Sequence, residues 1–475
     1  MANKVAVRTP GMRLVPLLCR LGMGLISLGF YGLACGQPLS GSEGAGALPE
    51  PARAMATSSA MGLTLNQAKA YAVAHQTAVL LAQEQLNESA DRAREVRAGL
   101  LPSMEFKTYQ IRQTENLKAI GISLPGLPVV IGPFDTFDAR VRLTQRVFDL
   151  TQIYSLQAAN DAVEATRWRT LATEQQVAGA AALAYVELLR SRASVVAAQA
   201  NQTLAQQLLQ LARDQQGAGV STGVDVVRAE NALSRNALYL RQARQLESSA
   251  DTRLHRALGI DMQTTLRLTD NLPTGGEDMT SAPPQAQSIA QALDSRPELQ
   301  ALQQVVSQRR QERRAALAEN VPAFSLAGDI GSSGVNPTHY DYRTYSYGIQ
   351  MTLPLAQGGA MNAREDAAHS RERQAELALL DTQQQVEEDV RLALIALETS
   401  QEQLQTAHTG LALAVRLEEQ ARDRFSSGVA DNLELVDAQT NLASARSADI
   451  DAEAAWRMAR INLDLALGRL DYATP

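Results

Sequence analysis

The sequence predicts a mainly α chain with a transmembrane β part, built as the same unit twice. Three observations predict it. Hydrophobic residues make up 45% of the 475, yet aromatic residues only 4%. The apolar content is therefore mostly Ala, Leu and Val, which suits long helices packed through small side chains better than a globule. Next, RFSSGVADNLELVDAQTNL (Arg424–Leu442) resembles QQGAGVSTGVDVVRAENAL (Gln215–Leu233) at a fixed offset: Gly428 minus Gly219 and Leu442 minus Leu233 both give 209. Five of these 19 positions are identical, too few to carry the claim alone, but Val177 and Val386, Ser191 and Ser400, and Leu258-Gly259 and Leu467-Gly468 keep the offset without insertion. That is the mark of an internal repeat. Finally, two regions alternate apolar and polar residues with period two, the signature of strands.

The chain opens on an export signal. Lys4, Arg8, Arg13 and Arg20 precede the apolar run LGMGLISLGFYGLA, Leu21–Ala34, a charged n-region before a short h-region. The signal is taken as residues 1–35, with cleavage as late as residue 56. YGLAC would leave Cys35 as an acylated residue, although Gly32 stands where such signals usually carry Leu; A-x-A sites end at Ala47 and Ala56. Cys19 and Cys35 are the two cysteines of the chain, so its body can hold neither a disulfide framework nor a cysteine metal site.

The first repeat covers residues 63–259. A helix runs from Leu63 to about Leu100 and breaks at Pro102; a hairpin occupies 103–147; a proline-free helix of roughly 70 residues, about 100 Å long, ends at the tip GAGVSTG; a last helix runs from Val224 to Leu258, with Gly259 as its stop. A Gly/Pro-rich linker covers 260–287. The second repeat, 288–470, has the same order: a helix to Glu319 broken at Pro322, a hairpin at 323–355, a helix from Ala360 to Phe425, the tip SSGVADN and a last helix. Val390, Leu394, Leu397, Leu404, Leu411 and Val415, with Gln401 and His408, follow the 4-3 spacing of a coiled-coil seam.

In TYSYGIQMTLPL, Tyr345, Tyr347, Ile349, Met351 and Leu353 share one face and Ser346, Gly348, Gln350 and Thr352 the other. In FDARVRLTQRVF, Phe137, Ala139, Val141 and Leu143 alternate with Asp138, Arg140, Arg142 and Thr144. Tyr340, Tyr342, Tyr345 and Tyr347 gather near one hairpin turn, as an interfacial girdle or as strand formers in a water-facing sheet. A sheet facing lipid cannot leave edges unpaired, and four strands are fewer than the 8 of the smallest single-chain barrels. A membrane location therefore needs several copies: two would give 8 strands and three would give 12. Arg140, Arg142 and Gln350 would then face a water-filled interior.

The order helix–LLP–hairpin–long helix–SGV tip–helix, twice over, together with GLLPSMEF, VRLTQRVFD, YGIQMTLPLAQGG, RFSSGVADNLELVDAQ and ALGRL, resembles the outer-membrane efflux protein family, the TolC-like channels, from about Leu63 to Leu470. The resemblance implies a homotrimer with a 12-stranded β-barrel in outer-membrane lipid and a helical barrel across the periplasm. Its tips would meet a periplasmic adaptor protein and an inner-membrane pump. It implies an acidic periplasmic aperture at Glu434 and Asp437, three apart and so on one helix face, with Asp225 as the first-half counterpart. It implies adaptor-contact tips at Gly219, Val220, Gly428 and Val429. A basic residue often found two after the second tip glycine is absent: Ala430 stands there, followed by Asp431. The expected role is a passive exit duct.

Other classes fit less well. A secreted coiled-coil protein without a pore leaves the apolar strand faces unexplained, and an adaptor carries one helical hairpin between β domains. No catalysis and no cofactor are expected: the five histidines are scattered and HExxH, GxSxG and Walker patterns are absent. The mild net charge of −7 offers no footprint for nucleic acid.

Overall fold

Each half begins with a short strand, and the two pair with one another. The computed structural model describes residues 61–122, 125–219, 221–270, 283–339, 342–427, 429 and 432–470, so the signal region and Cys35 lie outside the described residues. In the first half, β1 (Met61–Leu63), α1 (Leu65–His75), α2 (Thr77–Ala98), β2 (Ser103–Asn116), β3 (Val130–Phe148), α3 (Leu150–Gly217) and α4 (Gly223–Leu258) follow one another. In the second, β4 (Leu266–Leu268), α5 (Gln285–Ser295), α6 (Pro297–Ala318), β5 (Ala323–Gly334), β6 (Tyr342–Thr352), α7 (Ala360–Ser426) and α8 (Asn432–Ala466) repeat the order.

Two expectations change. The 260–287 stretch read as linker holds β4, parallel to β1, and the start of α5. The helix expected from Leu63 to Leu100 is two helices, broken at Gln76 (φ −70°, ψ 128°), and its counterpart breaks at Arg296 (φ −70°, ψ 123°). Arg296 precedes Pro297, which forces an extended backbone; Gln76 takes the same shape without a proline. In the first hairpin the apolar stretch GISLPGLPVVIGPF runs into β3, which starts at Val130.

The two breaks receive the end of the last helix of their own half. Gly259 caps α4 with φ +71°, and a Cβ there would lie 3.3 Å from the His75 carbonyl oxygen; Gly468 has φ +65°, and a Cβ would lie 3.1 Å from Arg296 Cα. Glycine is needed at both for the left-handed turn and for the close approach. Gln76 donates to the Arg256 carbonyl at 3.1 Å, and Ser295 to that of Leu467 at 2.7 Å. The breaks lie 220 residues apart (296 minus 76), as do Pro102 and Pro322, whereas beyond the strands the offset is 209. The longer first hairpin accounts for the difference.

Lateral order is the same at every level. The sheet runs β2-β3-β5-β6, antiparallel throughout. The strands continue into helices packed in the order α2-α3-α6-α7, and nearer the tips α4-α3-α8-α7. One edge therefore carries β2, α2 and α4, and the other β6 and α7. Alanine-rich clusters fill the interior: Leu63, Ala68, Ala72, Tyr185, Leu254 and Leu266 in the first half, Ala292, Leu299, Val390, Leu397, Trp456 and Leu463 in the second. Ala178, Ala182 and Val186 of α3 join the halves through Ala454 and Ile461 of α8. The 4-3 seam lies inward as expected: Val390, Leu397 and Leu404 are buried and its other members half-buried.

The Tyr185 hydroxyl, fully buried, donates to the Leu63 carbonyl (2.9 Å) and lies 3.0 Å from Asp270, which also accepts from the Leu65 N–H at 2.8 Å. Tyr185→Phe removes one buried hydrogen bond while the Leu63 carbonyl keeps Thr269 and Asp270 keeps Leu65, and is expected to cost about 0.5–1.5 kcal/mol. Chemical denaturation in detergent, followed by circular dichroism, should show a lowered midpoint; an unchanged midpoint would remove this joint from the stabilising interactions.

Candidate functional site

Two places concentrate unusual chemistry: the paired helical tips and the two-faced sheet. The tips sit side by side because the helices leading to them share a core, in which Leu208, Leu209 and Ala212 of α3 meet Ala229 of α4, Ala421 and Phe425 of α7, and Leu435, Val436 and Ala438 of α8. Gln215 reaches the Phe425 carbonyl at 3.5 Å. In the first tip Gly219 takes φ +71°, and the Ser221 N–H returns to the Gln215 carbonyl at 3.3 Å; in the second, the Val429 N–H returns to Arg424 at 2.9 Å. Exposed apolar side chains surround both turns: Val224, Val227, Val429 and Leu433. Val220, Gly428, Ala430 and Asp431 lie outside the described residues.

The acidic residues occupy different settings. Asp225 accepts from the Thr222 hydroxyl (2.6 Å), the Thr222 N–H (3.0 Å) and Ser221 (3.1 Å), and Arg228 lies 3.5 Å away. It is the N3 partner of a capping box, and so it holds its own tip. The [ST]-x-x-[DE] pattern of Thr222–Asp225 was available in the sequence as that signal. The Thr222 bonds, hydroxyl first and then N–H, hold its carboxyl below the usual range. Glu434, in the first turn of α8, is half-buried and lies 3.4 Å from Arg424 of α7. Asp437, one turn on, is exposed.

Charged groups further along the α7–α8 seam escaped sequence reasoning. His408 Nε2 lies 3.2 Å from Asp449 and Arg457 3.4 Å from the buried Glu453. Burial pushes both carboxyls up, against the pull of His408 on Asp449 and of Arg457 on Glu453. Inter-helix register brings His408 to Asp449, whereas Arg457 and Glu453 stand one turn apart on α8 itself.

The sheet separates its two faces cleanly. Opposite residues in an antiparallel ladder share a face. The row Phe106, Val141, Ile330, Tyr345 and the row Met104, Leu143, Gly328, Tyr347 run across all four strands, followed by Leu326 with Ile349 and Phe324 with Met351. Tyr345, Tyr347 and Ile349 are at least 75% exposed, and the two tyrosines stack 6.3 Å apart. Tyr345 to Met351 covers about 20 Å of strand, close to the ~25 Å apolar band of an outer-membrane barrel. Tyr340 lies outside the described residues. The opposite face carries Glu105, Lys107, Asp138, Arg140, Arg142, Asp329 and Gln350. Among the described residues no helix is long and apolar enough to cross a membrane, and no group of three His, Cys, Asp or Glu is placed to hold a metal ion.

Residues 288–469 match the family model described as outer membrane efflux protein. Over those residues, about two-fifths of the chain, the sequence is similar to the outer membrane efflux proteins. It is 22% identical over 293 residues to nodulation protein T of Rhizobium leguminosarum bv. trifolii, covering 60% of this chain and 61% of that one. It is 25% identical over 348 residues to the alkaline protease secretion protein AprF of Pseudomonas aeruginosa, covering 72% and 71%. The chain thus spans about three-fifths of the nodulation protein's length. The fold matches the Campylobacter jejuni CmeC outer membrane channel with a TM-score of 0.76 at 17% identity, over 86% of this chain and 87% of that one.

Asp225→Ala is expected to fray the first turn of α4 and cost about 1 kcal/mol, read as faster amide exchange at residues 222–226. Because the folded carboxyl titrates below its unfolded value of about 3.9, its contribution is fully present above that pH and is lost as pH falls through the folded value. Exchange rates at this tip that are identical in both proteins at pH 6 would deny the cap any weight.

Proposed function

We propose that the chain is the outer-membrane duct of a tripartite export system, a homotrimer that passively conducts substrate from an inner-membrane pump to the exterior. One observation carries this reading: a four-stranded sheet with an exposed apolar face, a charged opposite face, and two free edges. Lipid tolerates no unpaired backbone, so the β6 edge of one copy must pair with the β2 edge of the next until the sheet closes. Three copies give 12 strands. Apolar side chains on both lateral edges support the same closure lower down: Val227, Leu238, Tyr239 and Leu246 on α4, and Leu380, Leu392, Ile395 and Leu413 on α7, are exposed in the single subunit. The recurrence of one seven-element order supports an internal duplication that supplies two tips per subunit and six per trimer.

In this reading the tips face an adaptor protein, and Gly219, Val220, Gly428 and Val429 with the apolar side chains beside them form the contact. Glu434 and Asp437 line the periplasmic aperture, where threefold symmetry would gather six carboxylates that attract cations and repel one another. Asp225 shapes the first tip. The chain does no chemistry on its cargo; the driving energy comes from the pump.

The native protein, extracted in detergent from a separated outer-membrane fraction, is expected to have the mass of three chains. A species that is soluble without detergent would sink the barrel and leave a periplasmic coiled-coil protein. For the aperture, Glu434→Gln with Asp437→Asn should lower cation preference and raise the open fraction in planar bilayers. Unchanged conductance and selectivity would remove both residues from the aperture.

A further inference from the structure

On the charged face of the sheet, most ionic side chains stand apart. Glu105, Lys107 and Arg142 are exposed and form no ion pair among the described residues. Asp138, Arg140 and Asp329 behave differently. Arg140 binds Asp138 through both Nε (2.6 Å) and Nη2, and Asp329 through Nη1 at 2.9 Å. Asp329 also accepts from Ser346 of β6. The Asp138 side chain keeps only 5% of its surface exposed, Asp329 14% and Arg140 28%, already in a single subunit.

The backbone makes room for this cluster. A Cβ on Gly331 would lie 2.5 Å from the Ala139 carbonyl oxygen and 2.5 Å from Arg140 Cβ. Gly331 stands directly opposite Arg140 in the ladder, so any larger residue would displace the guanidinium or part the strands. The cluster also spans the pairing of β3 with β5, which joins the two halves within the four-stranded sheet. A fork of five fixed donors suits Arg at such a two-carboxylate site, and Lys does not replace its geometry.

We propose that Asp138, Arg140 and Asp329 form a locked, charge-compensating belt on the inner wall of the barrel, and that Arg140 sets the ion preference of that wall. The inference rests on the channel reading above. Across these rows three carboxylates (Glu105, Asp138, Asp329) face three cations (Lys107, Arg140, Arg142). Across these rows the wall is balanced in sign, in contrast to the acidic aperture, and would pass anionic and cationic solutes alike; Arg146, further along the same face, is paired with Asp149. Taking away one cation per subunit removes three around the ring, and a narrow pore with low-dielectric walls responds strongly to such a change.

The test is the permeability ratio of K+ to Cl− for the full-length protein in planar bilayers under a KCl gradient. Arg140→Gln should shift the ratio toward K+ by on the order of twofold or more; Asp138→Asn with Asp329→Asn should shift it toward Cl−. The mass of the extracted oligomer is measured for each. A cluster serving only to join the strands would change assembly or stability, and any change in selectivity would have the same sign in both variants. Opposite shifts support the belt. Unchanged ratios, or shifts of one sign, overturn it while leaving the channel intact. Should Arg140→Gln fail to assemble because Asp138 loses its partner, the double carboxylate variant decides alone: a shift toward Cl− supports the belt and an unchanged ratio overturns it. Absence of current from the unaltered protein would overturn the channel reading and the inference together.

Discussion

Backbone hydrogen bonding along two strand edges governs this protein. β2 and β6 each pair on one side within the chain, and the sheet between them turns a broad apolar face outward. Neither property is tolerable alone. In water the apolar face favours aggregation, and in lipid the open edges leave polar groups without partners. Closure through further copies would remove both problems together, because each new ladder would satisfy an edge while the band of Phe106, Ile330, Tyr345 and Ile349 continued around the outside. The order of helices beneath the strands follows from the same demand. α2, α3, α6 and α7 keep the lateral sequence of the strands they extend, so closing the sheet also closes the helices.

Small side chains make the helical part workable. Gly179 lies so close to Leu465 that a Cβ would sit 2.5 Å from its side chain, and Ala178 and Ala182 flank the same contact with α8. Helices that approach through Ala and Gly can stay nearly parallel over many turns, as α3 does over 68 residues. Polar joints then fix the register where apolar packing is too uniform to do so. Arg190 bridges Glu187 and Asp451 at 2.7 and 2.8 Å, and Arg446 reaches Asn201 at 2.8 Å. Glu372 is held by Arg310 and Arg313, each at 3.2 Å; burial alone would raise its carboxyl, and the two guanidiniums outweigh that and hold it below its usual range.

The long elements were legible in the sequence because their signals accumulate. The 4-3 seam from Val390 to Val415 and the alternation of Tyr345 to Leu353 each extend over enough residues to exclude other readings. Three-residue β1 and β4 carry no period that a sequence can display; they exist because Leu63 and Leu266 are buried beside Tyr185. The break at Arg296 was announced by Pro297, but the one at Gln76 was not, since there the contact with the Gly259 turn, and no local residue, sets the backbone. The tips were legible as turns through their glycines. The commitment of Asp225 to its own cap was signalled by the Thr222-x-x-Asp225 pattern. The grip of Arg140 on two carboxylates was not legible, because it depends on which way the side chain turns and on a register linking residues 189 positions apart.

That long-range register has a consequence for the order of events in biogenesis. β1 waits for β4, β3 waits for β5, and α3 is completed only when α8, the last helix of the chain, packs against Gly179. None of these partners is local. Contacts of such separation form slowly, since a large loop must close before any of them is rewarded. The first half cannot mature before the second is present. Its apolar strand face and its helical core must therefore remain uncommitted, and shielded from neighbouring chains, until nearly the whole polypeptide has arrived.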